Sequence, residues 1–161
     1  MNDASLALAT ALGQALLGRG LSVATAESCT GGLIAGAITA VAGSSGWFDR
    51  GFVTYSNDAK IGMLGVRAET LAAHGAVSEA VAAEMAAGAL AHSRADLAVA
   101  VTGIAGPDGG TPAKPVGTVC FAWARRGRAV ATATRLLPGD RAAVRAATVR
   151  VALQGLLDRL D

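Results

Sequence analysis

Cysteine and histidine are scarce in this 161-residue sequence. The two cysteines, Cys29 and Cys120, are too few for a disulfide scaffold and lack the CxxC spacing of zinc or redox sites. The two histidines, His74 and His92, lie 18 positions apart, which argues against a histidine-rich metal centre. We therefore expect a reduced compartment and a chemistry that needs neither a metal nor another cofactor.

Long apolar runs and a basic amino terminus are also missing. No apolar stretch approaches the roughly eighteen residues that cross a bilayer. The first ten residues, MNDASLALAT, contain Asp3 but no Lys or Arg, so they do not have the form of a signal peptide. We therefore expect a soluble, cytoplasmic protein without a membrane partner.

Aromatic residues make up only 4% of the chain, whereas hydrophobic residues make up 52% and charged residues 16%. The core must therefore be built from Ala, Val, Leu and Ile, and the composition is typical of a folded protein rather than a disordered one. A chain of this length predicts a single domain over residues 1–161.

The charges are distributed unevenly along the chain. Residues 1–113 contain 5 Lys or Arg and 9 Asp or Glu, whereas residues 114–161 contain 9 and 3. The scarcity of aromatic residues to stack bases argues against nucleic acid and favours a phosphate-bearing small ligand or a plain solvated surface. Arg141 and Arg145, one helical turn apart, fit either a phosphate clamp or an exposed helix face.

Hydrophobic periodicity and turn residues predict helices that alternate with strands, followed by a late hairpin. The predicted helices cover residues 5–18, 33–41, 57–64, 67–75, 79–93 and a long segment from Asp140, and the predicted strands cover 21–26, 47–56, 96–106, 117–124 and 129–137. This order predicts a three-layer α/β/α fold with a mixed sheet of five or six strands, in which 96–106 is central. The turns that carry chemistry should share one edge of this sheet.

The segment TAESCTGG, residues 25–32, joins the first predicted strand to a helix. Ser28 is either a helix cap or a nucleophile, and Cys29 fits a small buried residue better than a rival nucleophile. Backbone N–H groups at Thr30, Gly31 and Gly32 could receive an oxyanion, because a helix start presents unpaired amides and the positive end of the dipole.

The segment TYSNDAK, residues 54–60, offers a base for that nucleophile. A helix beginning at Asn57 or Asp58 would hold Lys60 in its first turn, where the positive end of the helix lowers the pKa of a cation. A neutral lysine can take a proton from a serine, although a single lysine is more often a solvated surface group. Tyr55 either packs against the sheet or supports the pair.

A third segment, VTGIAGPDGG, ends the central strand and opens a loop over residues 106–117 that holds three of the four prolines. The loop has either a fixed irregular shape or the mobility of a flap. Its start would place Thr102, Gly103, Ile104 and Gly106 in a shared pocket with the other two segments. Glycines alone, however, are weak evidence for phosphate binding.

Four segments in this order, AESCTGG, GFVTYSNDAK, HGAVSE and GIAGPDGGTPAKPVGTV, resemble the CinA carboxy-terminal domain family from about Leu6 to Leu157. Stand-alone members of that family are nicotinamide mononucleotide amidohydrolases. The resemblance implies an α/β homodimer that converts this nucleotide to nicotinic acid mononucleotide and ammonia without a metal.

The resemblance also implies roles for individual residues. Ser28 matches the nucleophile of the family, Lys60 matches its general base, and Tyr55 supports the pair. Thr102 matches a substrate-contacting hydroxyl, and Arg141 is a candidate phosphate ligand. Many relatives have leucine where this chain has Cys29, which removes the thiol as a required nucleophile.

Two other classes of function remain open at this point. The chain could be a regulatory module that binds a pyridine nucleotide without cleaving it, and ammonia release would distinguish the two. The basic carboxy-terminal third could bind nucleic acid, in which case retention on DNA would fall steeply with salt. We expect no such retention at physiological salt.

Overall fold

The computed structural model of the protein describes residues 2–161. The chain forms six α-helices and five β-strands over these residues. In chain order they are α1 (Asp3–Arg19), β1 (Val23–Glu27), α2 (Leu33–Thr39), β2 (Phe48–Val53), α3 (Asn57–Leu64), α4 (Ala68–His74), α5 (Glu79–Ala91), β3 (Leu97–Gly103), β4 (Thr118–Arg125), β5 (Ala131–Leu136) and α6 (Arg141–Leu157). A short 3-10 turn at Ser44–Gly46 precedes β2.

The strands form one sheet in the order β2-β1-β3-β4-β5. β1 runs parallel to β2 and β3, whereas β4 is antiparallel to both β3 and β5. The sequence-based prediction of a three-layer α/β/α fold with a mixed sheet is therefore confirmed, with five strands and β3 at the centre. Because β1, β2 and β3 are parallel, the segments that follow them leave from the same edge of the sheet.

The two faces of the sheet carry side chains of different size. On β3 and β4, the larger side chains face α1, α2 and α6, and the smaller ones face α5. The first set is Leu97, Val99, Val101, Val119, Phe121 and Trp123, and the second is Ala98, Ala100, Cys120, Ala122 and Ala124. The alternation follows from the two-residue period of a strand, and it buries β3 on both faces.

Several boundaries differ from the predicted ones near the carboxyl ends of the parallel strands. β1 begins and ends later than the predicted 21–26, so that Glu27 is its last residue, and β2 ends at Val53 rather than at residue 56. The chain then turns to begin α3, whose N-cap is Ser56 rather than Asn57 or Asp58. The Ser56 hydroxyl accepts the amide of Ala59 at 3.0 Å.

Several other helices begin or end at residues that commonly cap helices. Ser78 caps α5 and Asp140 caps α6 through their side-chain oxygens, and Gly20 and Gly65 end α1 and α3 in the left-handed conformation. None of the helices within residues 2–161 has the length and apolar character needed to cross a membrane. Over the same residues, no group of three His, Cys, Asp or Glu side chains lies close enough together to hold a metal ion.

Candidate active site

Ser28 and Lys60 form the floor of the site. Ser28 lies in the turn after β1, and Lys60 lies in the first turn of α3. The amide of Ser28 donates to the carbonyl of Val101 on β3, which fixes the turn to the central strand. Nζ of Lys60 lies 3.1 Å from Oγ of Ser28. Both residues are buried, since only 2% of Lys60 and 8% of Ser28 are exposed. The fold thus brings together the hydroxyl and the amine that the sequence analysis paired.

Two backbone carbonyls complete the surroundings of the Lys60 amine. Nζ lies 3.2 Å from the carbonyl oxygen of Thr54 and 3.5 Å from that of Tyr55. A neutral amine has two N–H groups and one lone pair, so the carbonyls can accept the N–H groups while the lone pair accepts the hydroxyl of Ser28. These three neighbours can therefore satisfy the uncharged form of lysine, which is the form that acts as a base, as well as the three donors of the protonated form.

The electrostatics of the floor favour the same form. Among residues 2–161, no carboxylate forms an ion pair with Lys60. Burial lowers the pKa of Lys60 from its ordinary value of 10.5, an effect opposed in part by the neighbouring Cys29 thiol group. The direction agrees with the prediction from sequence, but the main cause is loss of hydration rather than the start of the helix.

Cys29 follows Ser28 and is also buried, with 7% of the residue exposed. Burial raises the pKa of the Cys29 thiol to about 11, and the charge of Glu27 acts in the same direction. The thiolate is the nucleophilic form of cysteine, so the thiol is unreactive near neutral pH. The Ser28 hydroxyl is therefore the better candidate nucleophile of these two neighbouring groups.

The amides at the start of α2 are already occupied. Glu27 is 1% exposed, and its carboxylate accepts the amides of Ile34 at 2.9 Å and Ala35 at 3.0 Å, as well as the hydroxyl of Thr30. A carboxylate is favourable there because of the unpaired amides and the helix dipole. Residues 30–32 are not among those that line the pocket at Ser28. Our expectation that the amides of residues 30–32 receive the substrate oxyanion stays a prediction.

A pocket of about 250 Å³ opens above the floor. It lies at the sheet edge where the three parallel strands end, and α3, α6 and the segment before α5 contribute its walls. Its lining residues are Ser28, Cys29, Tyr55, Asn57, Lys60, Ala76, Val77, Thr102, Gly103, Ala105 and Arg141. The three segments singled out by the sequence therefore do converge on one pocket.

The mouth of the pocket is formed by Tyr55 and Arg141. Tyr55 is 63% exposed, and its hydroxyl accepts a hydrogen bond from Nη2 of Arg141 at 3.2 Å. Nη1 of Arg141 donates to the carbonyl of Gly106 at 2.9 Å. Arg141 forms no ion pair with any carboxylate of residues 2–161, so its charge is available to an anionic ligand.

Tyr55 and Gly106 both contact side chains of the site, through groups that the sequence did not specify. The backbone carbonyl of Tyr55, not its hydroxyl, contacts Lys60, and the hydroxyl contacts Arg141. A proton relay from the Tyr55 hydroxyl to Lys60 has no contact to run through in this structure. Gly106 is absent from the lining of the pocket and orients Arg141 through its carbonyl instead.

The residues at the end of β3 shape the wall of the pocket. Thr102 is 1% exposed, and its hydroxyl donates to the carbonyl of Ala76 at 2.9 Å, which ties the segment before α5 to the strand. A Cβ on Gly103 would lie 2.8 Å from Cγ2 of Val119, so this close approach requires glycine. Ile104 lies behind the wall, because its amide and carbonyl pair with Thr118 and Gly117 on the β4 side.

Comparison with known proteins agrees with this geometry. The family model of the CinA C-terminal domain matches residues 5–160. The chain belongs to that family. The CinA relatives with solved structures include the competence/damage inducible protein CihA of Agrobacterium tumefaciens, which is 53% identical with a TM-score of 0.95 over 98% of this chain and 96% of that chain. The resemblance noted in the sequence is confirmed, as is the fold.

Curated relatives of the CinA C-terminal domain are of two lengths. The nicotinamide-nucleotide amidohydrolase PncC of Escherichia coli (strain K12) is 60% identical over 158 residues, which cover 97% of this chain and 95% of that protein. A putative competence-damage inducible protein of Symbiobacterium thermophilum is 66% identical over 121 residues, which cover 75% of this chain but only 28% of that protein. This chain therefore matches the short relative over nearly its full length.

Sequence reasoning missed two residues of this CinA domain that the structure places at the site. Glu27 was not singled out within the motif. An acidic residue between a strand and the start of a helix is, however, a recognisable signal, because its carboxylate can interact with the positive end of the helix dipole. Asn57 was considered only as a helix cap, yet it is exposed and lines the pocket one helical turn before Lys60. The spacing of three residues on a helix was the available signal.

Proposed function

We propose that this chain is an amidohydrolase that converts nicotinamide mononucleotide to nicotinic acid mononucleotide and ammonia, with Ser28 as nucleophile and Lys60 as general base. The observation that carries the proposal is the buried contact of 3.1 Å between the Lys60 amine and the Ser28 hydroxyl. The substrate is proposed from the name of the 60% identical relative, which covers nearly the whole chain. Both supports are needed, because the first indicates the chemistry and the second the substrate.

In the first step the Ser28 oxygen attacks the carbon of the linear carboxamide as its proton moves to Lys60. A bond forms between that oxygen and the carbon, and the carbonyl electron pair moves to the carbonyl oxygen. As the pair returns, the C–N bond breaks and the nitrogen takes the proton from Lys60, so that ammonia leaves. Lys60 is again neutral, and the acyl group is held on Ser28 as an ester.

In the second step water replaces ammonia. Lys60 takes a proton from the water as its oxygen bonds to the acyl carbon, and the C–O bond to Ser28 then breaks. The proton on Lys60 passes to the Ser28 oxygen, which restores the hydroxyl and releases the nicotinic acid mononucleotide. The Lys60 amine can serve both steps because it contacts the Ser28 oxygen, which is acylated in the first step and released in the second.

The oxyanion of each step needs amide donors within the pocket. The amides of Cys29 and Ala105 belong to residues that line the pocket, and neither donates to another residue in the described chain. Because residues 30–32 do not line the pocket, we propose the amides of Cys29 and Ala105 as the oxyanion donors. A donor of this kind contributes about 3 to 4 kcal/mol to transition-state stabilisation.

We further propose that Arg141 binds the phosphate of the substrate. Its guanidinium lies at the mouth, oriented by Gly106 and Tyr55, and no carboxylate of residues 2–161 neutralises it. Arginine binds phosphate through two parallel N–H donors, and such charge-assisted bonds are about twice as strong as neutral ones. The unpaired Asn57 amide, also at the mouth, is available to the ribose.

Ammonia release tests the proposal directly. The purified chain is incubated with nicotinamide mononucleotide, and ammonia is measured against the Ser28→Ala variant as the control. Rapid quenching followed by mass spectrometry should show an acyl group on the peptide that contains Ser28. Tight binding of the nucleotide with no ammonia above the control would instead establish the non-catalytic binding module.

A further inference from the structure

Arg145 contacts the turn that carries the nucleophile rather than the pocket above it. Its Nε donates to the carbonyl of Cys29 at 3.1 Å, and its Nη2 donates to the carbonyl of Thr30 at 3.2 Å. These are the two residues that follow Ser28, and they lie 116 and 115 positions away along the chain. One edge of a guanidinium thus binds two consecutive peptide groups of the turn.

Other hydrogen bonds of the turn come from its own residues, from Glu27 and from α2, α3 and β3, and Arg145 is the only contact from α6 among them. Gly31 and Gly32 both have positive φ, 56° and 104°, and two adjacent glycines leave the backbone unusually free. Within residues 2–161, the carbonyl of Cys29 accepts a hydrogen bond from Arg145 alone. Removing the guanidinium would therefore release the peptide group between Cys29 and Thr30. This group adjoins the peptide group between Ser28 and Cys29, whose N–H is the proposed oxyanion donor.

The turn also carries a negative charge that the positive charge of Arg145 can offset. Glu27 is a buried carboxylate on the same turn, bound to the start of α2, and its negative charge opposes an oxyanion forming at Ser28. Arg145 forms no ion pair with a carboxylate in the described part of the chain. Both charges act on the Cys29 thiol, whose pKa is raised mainly by burial: Glu27 raises it further and Arg145 lowers it.

Arg141 and Arg145 therefore have separate tasks, although they lie one turn apart on α6. We propose that Arg145 is a positioning residue that holds the nucleophile turn in its reactive shape and offsets the charge of Glu27, and that it does not bind the phosphate. This inference rests on the proposed function for its kinetic consequence. The turn-holding part stands on the contacts with Cys29 and Thr30 alone.

The kinetic test compares Arg145→Met with Arg145→Lys. Arg145→Met should lower kcat about 10- to 100-fold for nicotinamide mononucleotide, the size of a lost charge-assisted hydrogen bond, and leave KM within about twofold. Arg145→Lys keeps the charge but cannot bind two carbonyls at once, so its kcat should be intermediate. Arg150→Met, on the same helix and without a hydrogen-bonded side chain among those described, is the matched control and should resemble the wild type.

The same comparison with nicotinamide riboside, which lacks the phosphate, separates the two roles. A positioning role predicts the same fractional loss of kcat for the riboside and the mononucleotide. A rise in KM for the mononucleotide with unchanged kcat, and no effect on the riboside, would make Arg145 a phosphate ligand and overturn the inference. Should Arg145→Met fail to fold, an unchanged kcat in Arg145→Lys overturns it as well.

Amide hydrogen exchange measures how firmly the turn is held, and it does not require catalysis. Exchange in residues 28–33 should be at least about tenfold faster in Arg145→Met than in the wild type or Arg150→Met, because the bonded carbonyls no longer restrain the turn. Equal exchange in all three proteins contradicts the inference. If the wild type releases no ammonia, the proposed function has failed, and this measurement still decides whether Arg145 holds the turn.

Discussion

The floor and the mouth of the pocket differ in how their side chains are held. At the floor, Ser28 and Lys60 are buried and fixed by backbone groups, and no carboxylate in the described chain pairs with the amine. At the mouth, Tyr55 and Arg141 are exposed and contact each other through their side chains. Burial shifts the Lys60 amine toward its neutral form, whereas exposure leaves the Arg141 cation free. Changes at the floor should therefore alter kcat, and changes at the mouth should alter KM.

Substitutions at the floor should have the largest effect. Ser28→Ala removes the nucleophile and Lys60→Met removes the base, and each should lower kcat at least about 1,000-fold, since a general base alone contributes 10²- to 10⁴-fold. KM should change little, because neither group binds a remote part of the substrate. Ammonia release under saturating and limiting nicotinamide mononucleotide gives both constants.

Ser45→Ala is the control for the floor substitutions. Ser45 is exposed in the 3-10 turn before β2, and removing its hydroxyl should leave both kinetic constants unchanged. Circular dichroism and thermal melting establish that the Ser28 and Lys60 variants remain folded. More than a tenth of wild-type turnover in either of them contradicts the assignment of the Ser–Lys pair.

The pH dependence sharpens the contrast between a neutral floor and a charged mouth. Burial lowers the pKa of Lys60, and only the unprotonated amine is a base, so kcat/KM should rise about tenfold per pH unit below that pKa and then level off. The free energy of unfolding should depend on pH in the same direction, so that it also rises with pH. The unfolded chain holds the lysine proton up to about pH 10.4, so the free energy of unfolding should fall as pH falls from there to the folded pKa.

The control for the pH dependence is Lys60→Met. Its free energy of unfolding should lack the component that changes between the folded and unfolded pKa values of lysine. Chemical denaturation of the two proteins at several pH values measures the difference. An activity profile with no acidic limb, or one whose limb lies at the ordinary lysine value of 10.5, would mean that Lys60 is not the neutral base.

Arg141→Met should have the next largest effect and should act on binding. Losing a charge-assisted contact of about 1.5 to 3 kcal/mol raises KM for nicotinamide mononucleotide about 10- to 100-fold. Nicotinamide riboside should be hydrolysed as well by the variant as by the wild type, because it has no phosphate to bind. An equal loss with both substrates would show that Arg141 does not recognise the phosphate.

Most of the fold followed from local signals in the sequence. The apolar run at 96–106 predicted the central strand, which ends earlier, at Gly103, and the helices predicted from residues 79 and 140 match α5 and α6. Boundaries near the site were less predictable. β1 includes the charged Glu27, and β2 ends at Val53. These ends depend on pairing between the strands and on the hydrogen bonds that the Glu27 carboxylate accepts from the start of α2.

The sequence predicted which segments meet but not how their side chains pair. The contact between Ser28 and Lys60 came from matching a nucleophile to a base of the right chemistry, and the structure brings the two together. The occupied amides at α2 and the different contacts of Arg141 and Arg145 depend on which side of a turn each group faces. For the two arginines this orientation depends on contacts across 35 and 116 positions, which motif spacing does not encode.

Tyr55→Phe gives the smallest expected effect and tests the boundary between floor and mouth. The Tyr55 hydroxyl contacts Arg141, whereas only the Tyr55 carbonyl, which phenylalanine keeps, contacts Lys60. The variant should therefore raise KM for the mononucleotide about two- to fivefold, from a lost exposed hydrogen bond, and leave kcat unchanged. In the Arg141→Met background the same substitution should have no further effect, because its partner is gone. A hundredfold fall in kcat would instead show that the Tyr55 hydroxyl takes part in proton transfer, and the functional separation of mouth and floor would then be wrong.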